Sequence, residues 1–173
     1  MQIFYLDKDP VKAAQYLCDK HLIKAVLESA QIMSTVCNEE HGEKLDFTYR
    51  STHKNHPCTK WASTCFENYQ WLYQHAIGLL FEYTHRYGKI HASTKVITKC
   101  GAAIETVTLS NHGEITAPAQ AMPEEFRDID PVLAYRRYYT EHKMKTIDCK
   151  WTNREKPSWV FQAQTLEGSN AEN

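Results

Sequence analysis

Asp9-Pro10 is followed, from Val11 to Val36, by a stretch that contains neither Gly nor Pro. Nothing local stops such a segment from being helical. The Asp side chain can accept the orphan amides at a helix start, and Pro is preset for the first helical position. Within the stretch Ile23, Val26, Ala30 and Met33 recur at helical spacing, which predicts an apolar stripe facing a core. A long amphipathic helix needs other helices to cover that stripe. The expectation is an all-α chain: a single compact domain of three to four main helices with long connecting loops.

The remaining segments agree with this. Residues 2–6 are a short apolar run, either a small strand or an arm laid on the core. Residues 38–51 are polar and read as a loop. A second long helix is predicted from Pro57, with Trp61, Cys65, Tyr69, Leu72, Ala76, Leu79, Leu80, Tyr83 and Tyr87 on its apolar face and Gly88 as its left-handed stop. A third starts near Ser93-Thr94 and reaches about Cys100; residues 102–109 either continue it or turn extended. Residues 110–124 read as an irregular connection. Asp130-Pro131 repeats the helix-start signal, and a last helix runs from Val132 to about Lys145. Trp151, Pro157 and Trp159 are expected to tie the C-terminal segment to the body, so that residues 1–165 form the domain and 166–173 a disordered tail.

At 173 residues the chain is long enough for one real core. It has no run of about 18 apolar residues that could cross a membrane. Met1 to Asp7 lacks the basic start of a signal peptide. The six cysteines are scattered without a CxxC pair, so they read as reduced thiols, and no metal site is expected. These features predict a cytoplasmic protein (in the host cell, if viral) and a monomer. The net charge of −1 does not announce a nucleic-acid binder. Between Tyr135 and Pro157, however, cations including Arg136 and Arg137 outnumber anions and are interleaved with Tyr138, Tyr139 and Trp151. No GxGxxG, GxxxxGK[ST], HExxH, GxSxG or zinc-deaminase pattern occurs.

Two clusters carry chemistry. His21, Lys24 and Glu28 lie three and four residues apart, so one helix face presents an imidazole, an ammonium and a carboxylate around the small Ala25. Such a carboxylate can act as a general base or stabilise a developing cation. The same spacing also suits a Lys–Glu pair in water beside a satisfied histidine. His53, Lys54, Asn55 and His56 precede Pro57 at a helix start, where amides attract anions; they read as a phosphate grip or as a merely polar helix entry.

Asp19-Lys20-His21-Leu22 with Glu28 seven residues after the His resembles the signature helix of the phage pyrimidine-dimer DNA glycosylases (endonuclease V type). Lys54-Asn55-His56-Pro57 is similar to the Arg-Asn-His-Pro element of their bacterial relatives. Arg86-Tyr87-Gly88 and Lys156-Pro157-Ser158-Trp159 correspond more loosely to two further elements. The resemblance implies a DNA N-glycosylase, with or without AP-lyase activity, acting on a damaged or modified base in double-stranded DNA without a cofactor. It makes Glu28 the catalytic carboxylate and His21 and Lys24 its partners. His53, Lys54, Asn55 and His56 would bind phosphate, and Arg136 and Arg137 would extend the track. Two departures stand out. The family's amino-terminal threonine, whose α-amine attacks the sugar, is replaced by Met1 before Gln2, a residue too large for routine Met removal. The family's arginine before the glutamate is Leu27. The alternatives are a nucleoside or nucleotide N-glycosidic hydrolase and a non-catalytic, viral-type helical protein that binds nucleic acid or a partner. Burial of Glu28 in a cleft separates catalysis from mere binding.

Overall fold

The Asp9 carboxylate accepts the amides of Val11 and Lys12 at 2.8 and 3.2 Å and opens α1, Pro10–Gln15. The structure, a computed structural model, describes residues 1–103 and 113–161. The expected continuous helix from Pro10 to Val36 is not formed. It breaks at residues 16–18, and α2, Asp19–His41, starts afresh. No Gly or Pro causes the break; partners distant in sequence do. Arg86 donates to the Gln15 carbonyl at 3.0 Å and Trp151 Nε1 to the Tyr16 carbonyl at 3.0 Å. The Cys18 amide donates to the Tyr139 hydroxyl and the Asp19 amide to the Lys150 carbonyl. Four of the groups freed by the interruption therefore find tertiary partners, which makes the interruption affordable.

α2 then runs past Val36, to Gly42 in the left-handed conformation (φ 71°). Its buried stripe contains Leu22, Val26, Ala30 and Met33, whereas Ile23 is 46% exposed. The predicted stripe is thus wrong by one residue at its start. Leu22 and Ile23 are both apolar but about 100° apart around the helix, and periodicity cannot choose between them.

The second expected long helix is also split, into α3, Pro57–Ala62, and α4, Phe66–Tyr87. The Ser63 and Thr64 hydroxyls donate back to the Lys60 carbonyl, competing with the helical ladder. Asn68 Nδ2 donates to the Trp61 carbonyl at 2.8 Å and satisfies the end of α3. Gly88 (φ 63°) closes α4 as predicted. α4 lies at the centre, against α1 and α2, and Gly78 lets α1 approach: a Cβ there would meet Ala14 Cβ and Val11 Cα at 3.2 Å. α5, Thr94–Ala102, packs on α2 and α4. α6, Pro131–Tyr138, continues as a π-helical turn, Tyr139–Lys143, and a further turn, α7, Met144–Thr146, and residues 158–161 are helical again. All regular structure among the described residues is helical, as the sequence predicts, and residues 3–6 form a buried arm rather than a strand. Trp151 and Pro157 are drawn to the body, and Trp159 packs against Tyr16 and Tyr139. No described helix is long and apolar enough to cross a membrane. The expected course of residues 104–112 and the expected tail at 166–173 lie outside the described residues.

α4 also carries a pH-sensitive core group. His75 is fully buried, donates from Nδ1 to the Pro10 carbonyl at 2.9 Å and lies against Trp71. Burial lowers it from 6.5 to about 4. The unfolded chain therefore takes up this proton at a higher pH than the folded one. The stability that neutral His75 contributes is fully present above pH 6.5 and is lost as the pH falls towards 4. Unfolding by urea should show a loss of about 2 kcal/mol from this group between pH 7.5 and 5. His75→Gln, which keeps an amide donor and binds no proton, should flatten that slope. Acidic groups act lower: burial works to raise Glu82, but Arg154 and Arg86 outweigh it and hold it below the usual carboxylate range.

Candidate active site

The arm and α2 create the site together. Ile3 to Leu6 are buried; Tyr5 stacks on Trp71 at 4.5 Å, and Gln2 Nε2 donates to the Ala121 carbonyl. Arg136 fixes the far end of the arm by donating to the Leu6 carbonyl at 2.8 Å and pairing with Asp7 at 3.1 Å. Held at both ends, the arm delivers the chain's amino terminus to the middle of α2.

Glu28 receives it. Its Oε2 accepts the Gln2 amide at 3.1 Å. Its Oε1 lies 3.8 Å from the Met1 α-amine and 3.4 Å from Lys24 Nζ. The Glu28 side chain is 13% exposed, whereas Lys24 reaches solvent at 71%. They line a cleft of about 200 Å³ with Phe4, His21, Ala25 and Lys143. A carboxylate so placed contacts an amine, a potential nucleophile, and faces a space that can admit a reacting group. Glu28 is thus half-buried at the wall of a cleft while keeping its ion pair to Lys24.

His21 lies under the Phe4 ring at 5.1 Å, and its Nδ1 is 2.8 Å from the Tyr139 hydroxyl. Cys18 Sγ is 3.6 Å from the same nitrogen and accepts the Cys149 thiol at 3.1 Å. That donated hydrogen bond holds the Cys18 thiol below its ordinary range. All six cysteines are free thiols, as expected.

The other predicted residues are placed unevenly. His56 caps α3: its Nδ1 accepts the Cys58 amide at 3.2 Å. Burial first, then the charges of the α-amine and His53, hold it below the ordinary imidazole range, so it serves as a neutral cap beside the amine. His53, Lys54 and Asn55 are exposed; His53 bonds the Thr52 hydroxyl, and Lys54 pairs with Glu39 at 2.7 Å. Arg136 is committed to the arm, and Arg137 donates to the Glu125 carbonyl and lies over Phe126. Two motif residues turn out to be scaffold. Arg86 is buried and joins Glu82 to Asp19 at 2.7 and 2.9 Å, next to the break before α2. Sequence reasoning missed Tyr139 and Lys143. Tyr135, Tyr139 and Lys143 do recur every four residues, a legible signal that does not say which helix the face will meet.

A sequence model of the family described as pyrimidine dimer DNA glycosylase matches residues 1–96. The match spans the arm, His21, Lys24, Glu28 and the residues 53–56, and stops short of Tyr139 and Lys143. No curated protein and no solved structure matches.

Proposed function

This chain belongs to the pyrimidine dimer DNA glycosylase family, and on that premise we propose that its cleft releases a damaged or modified base from duplex DNA, with the Met1 α-amine as nucleophile. Membership makes the chain a DNA glycosylase and DNA its substrate; the base, the nucleophile and the lyase step are our reading. One observation carries it: a largely buried carboxylate, Glu28, pairs with the α-amine at 3.8 Å in the wall of an open cleft.

In this reading the target nucleotide is exposed by opening the duplex. The unprotonated amine attacks C1′, the N–C1′ bond forms, and the bond from C1′ to the base breaks. The base leaves with the electron pair and takes a proton. Glu28 stabilises the positive charge that develops on the sugar and moves protons from the amine to the ring oxygen as the sugar opens to an imine. The imine acidifies C2′–H; loss of that proton expels the 3′-phosphate, which is the lyase step. Lys24 and Lys143 at the cleft, and the exposed His53, Lys54 and Asn55 ahead of α3, meet the backbone phosphates. Arg136 and Arg137 support that surface by holding the arm and the turn at Glu124–Phe126. A non-catalytic binder would leave Glu28 paired to Lys24 in open solvent, and the burial of Glu28 weighs against it.

DNA binding should be phosphate-driven and moderate. Fluorescence anisotropy on a duplex is expected to show log affinity falling against log salt with a slope of about −3 to −5, as for four or five neutralised phosphates. A flat response removes the nucleic-acid reading.

A further inference from the structure

We propose that Tyr139, outside the region matched to the family, is a positioning residue that holds His21 with its Nε2–H towards the cleft, ready to donate to a sugar or phosphate oxygen of the target nucleotide. The role assigned to His21 rests on the proposed function; the orientation of its ring does not.

The Tyr139 hydroxyl is fully buried, in the π-helical turn that follows α6. π-turns inside helices recur where a side chain must be re-aimed for function. One lone pair of the hydroxyl is taken by the Cys18 amide, 2.9 Å away, at the break between α1 and α2. Its proton then has two acceptors in reach, Cys18 Sγ and, at 2.8 Å, His21 Nδ1, and we assign it to the nitrogen. Burial drives the Tyr139 hydroxyl well above its ordinary range, so it stays a donor. The competing partner of Nδ1, Cys18 Sγ, is longer at 3.6 Å. With Nδ1 occupied as an acceptor, the neutral ring carries its proton on Nε2, and the tautomer is assigned by the partner on the inner edge. His21 itself lines the cleft together with Glu28 and Lys24. Phe4 covers one side of the ring and fixes its tilt. The C-terminal part of the chain thus reaches across to set a donor on α2, and the same hydroxyl stabilises the helix break that presents it.

Nitrogen-15 NMR of the full-length protein at neutral pH tests this without any substrate. His21 should be in the Nε2–H form, and finding Nδ1–H overturns the proposal. In Tyr139→Phe the Nε2–H preference should be lost; an unchanged tautomer also overturns it. On ultraviolet-irradiated duplex DNA, Tyr139→Phe should lower kcat about tenfold with KM within about twofold. In a His21→Ala background the same change should cost less than about twofold, because its route of action is gone. An equal loss in both backgrounds shows a merely structural effect and sinks the proposal. Should the wild type cleave no DNA, the proposed function fails while the tautomer still decides the role of Tyr139.

Discussion

Glu28→Gln is expected to lower base release from ultraviolet-irradiated duplex DNA by about 10²–10³-fold while leaving duplex binding within about twofold. The substitution preserves shape and an oxygen able to accept the Gln2 amide. It removes the charge that faces the α-amine and the developing sugar cation. Folding should be almost unaffected, because the ion pair to Lys24 is solvent-exposed on the lysine side and such pairs contribute little. His21→Ala should cost less, since in the proposed mechanism His21 donates to the substrate and does not carry the reacting charge. The measurement is single-turnover excision beside anisotropy on the same duplex. Full activity in Glu28→Gln would mean that the polar face of α2 is structural.

Blocking the amino terminus should have an effect at least as large. Acetylating the Met1 amine, or placing one residue before it, is expected to reduce excision about 10³-fold and to abolish strand cleavage, because it removes the nucleophile outright. An added residue would occupy the cleft itself, because the Met1 side chain is buried at 3% exposure and the Gln2 main-chain amide is bound to Glu28. Borohydride added during turnover should trap a protein–DNA adduct, and peptide mapping should place it on Met1. Lys24, 3.4 Å from the same carboxylate, is the rival amine. Trapping should persist in Lys24→Met; an adduct mapped to Lys24 would reassign the nucleophile. The two substitutions also separate roles. Loss of Glu28 slows the reaction with the amine still present, whereas loss of the amine removes the adduct itself.

The departures at Gln2 and Leu27 acquire physical content in the structure. The Gln2 side chain bonds the Ala121 carbonyl and anchors the arm that carries the amine, while its main-chain N–H, which most residues would supply, bonds Glu28. Leu27 is 42% exposed on α2, and the cations that line the cleft are Lys24 and Lys143. Of the two sequence clusters, the one on α2 became a cleft. In the other, the residues were divided: His56 became a neutral helix cap, and Lys54 took Glu39 as its partner.

What the sequence determined by itself is everything decided within about four residues: helical class, helix starts at Asp9-Pro10 and Asp130-Pro131, the stop at Gly88, and the sharing of one face by His21, Lys24 and Glu28. Caps, left-handed stops and i to i+4 faces depend only on neighbouring residues. The tertiary structure decided where helices break and what the polar face meets. The gap between α1 and α2 has no local breaker; it exists because Arg86, Tyr139, Lys150 and Trp151 satisfy its backbone from afar. A free carbonyl or amide inside a core is costly, so only long-range partners could make that gap stable. The meeting of Met1 with Glu28 and of Tyr139 with His21 is decided in the same way, by burying one arm and one helix against α2, which no spacing within the chain encodes.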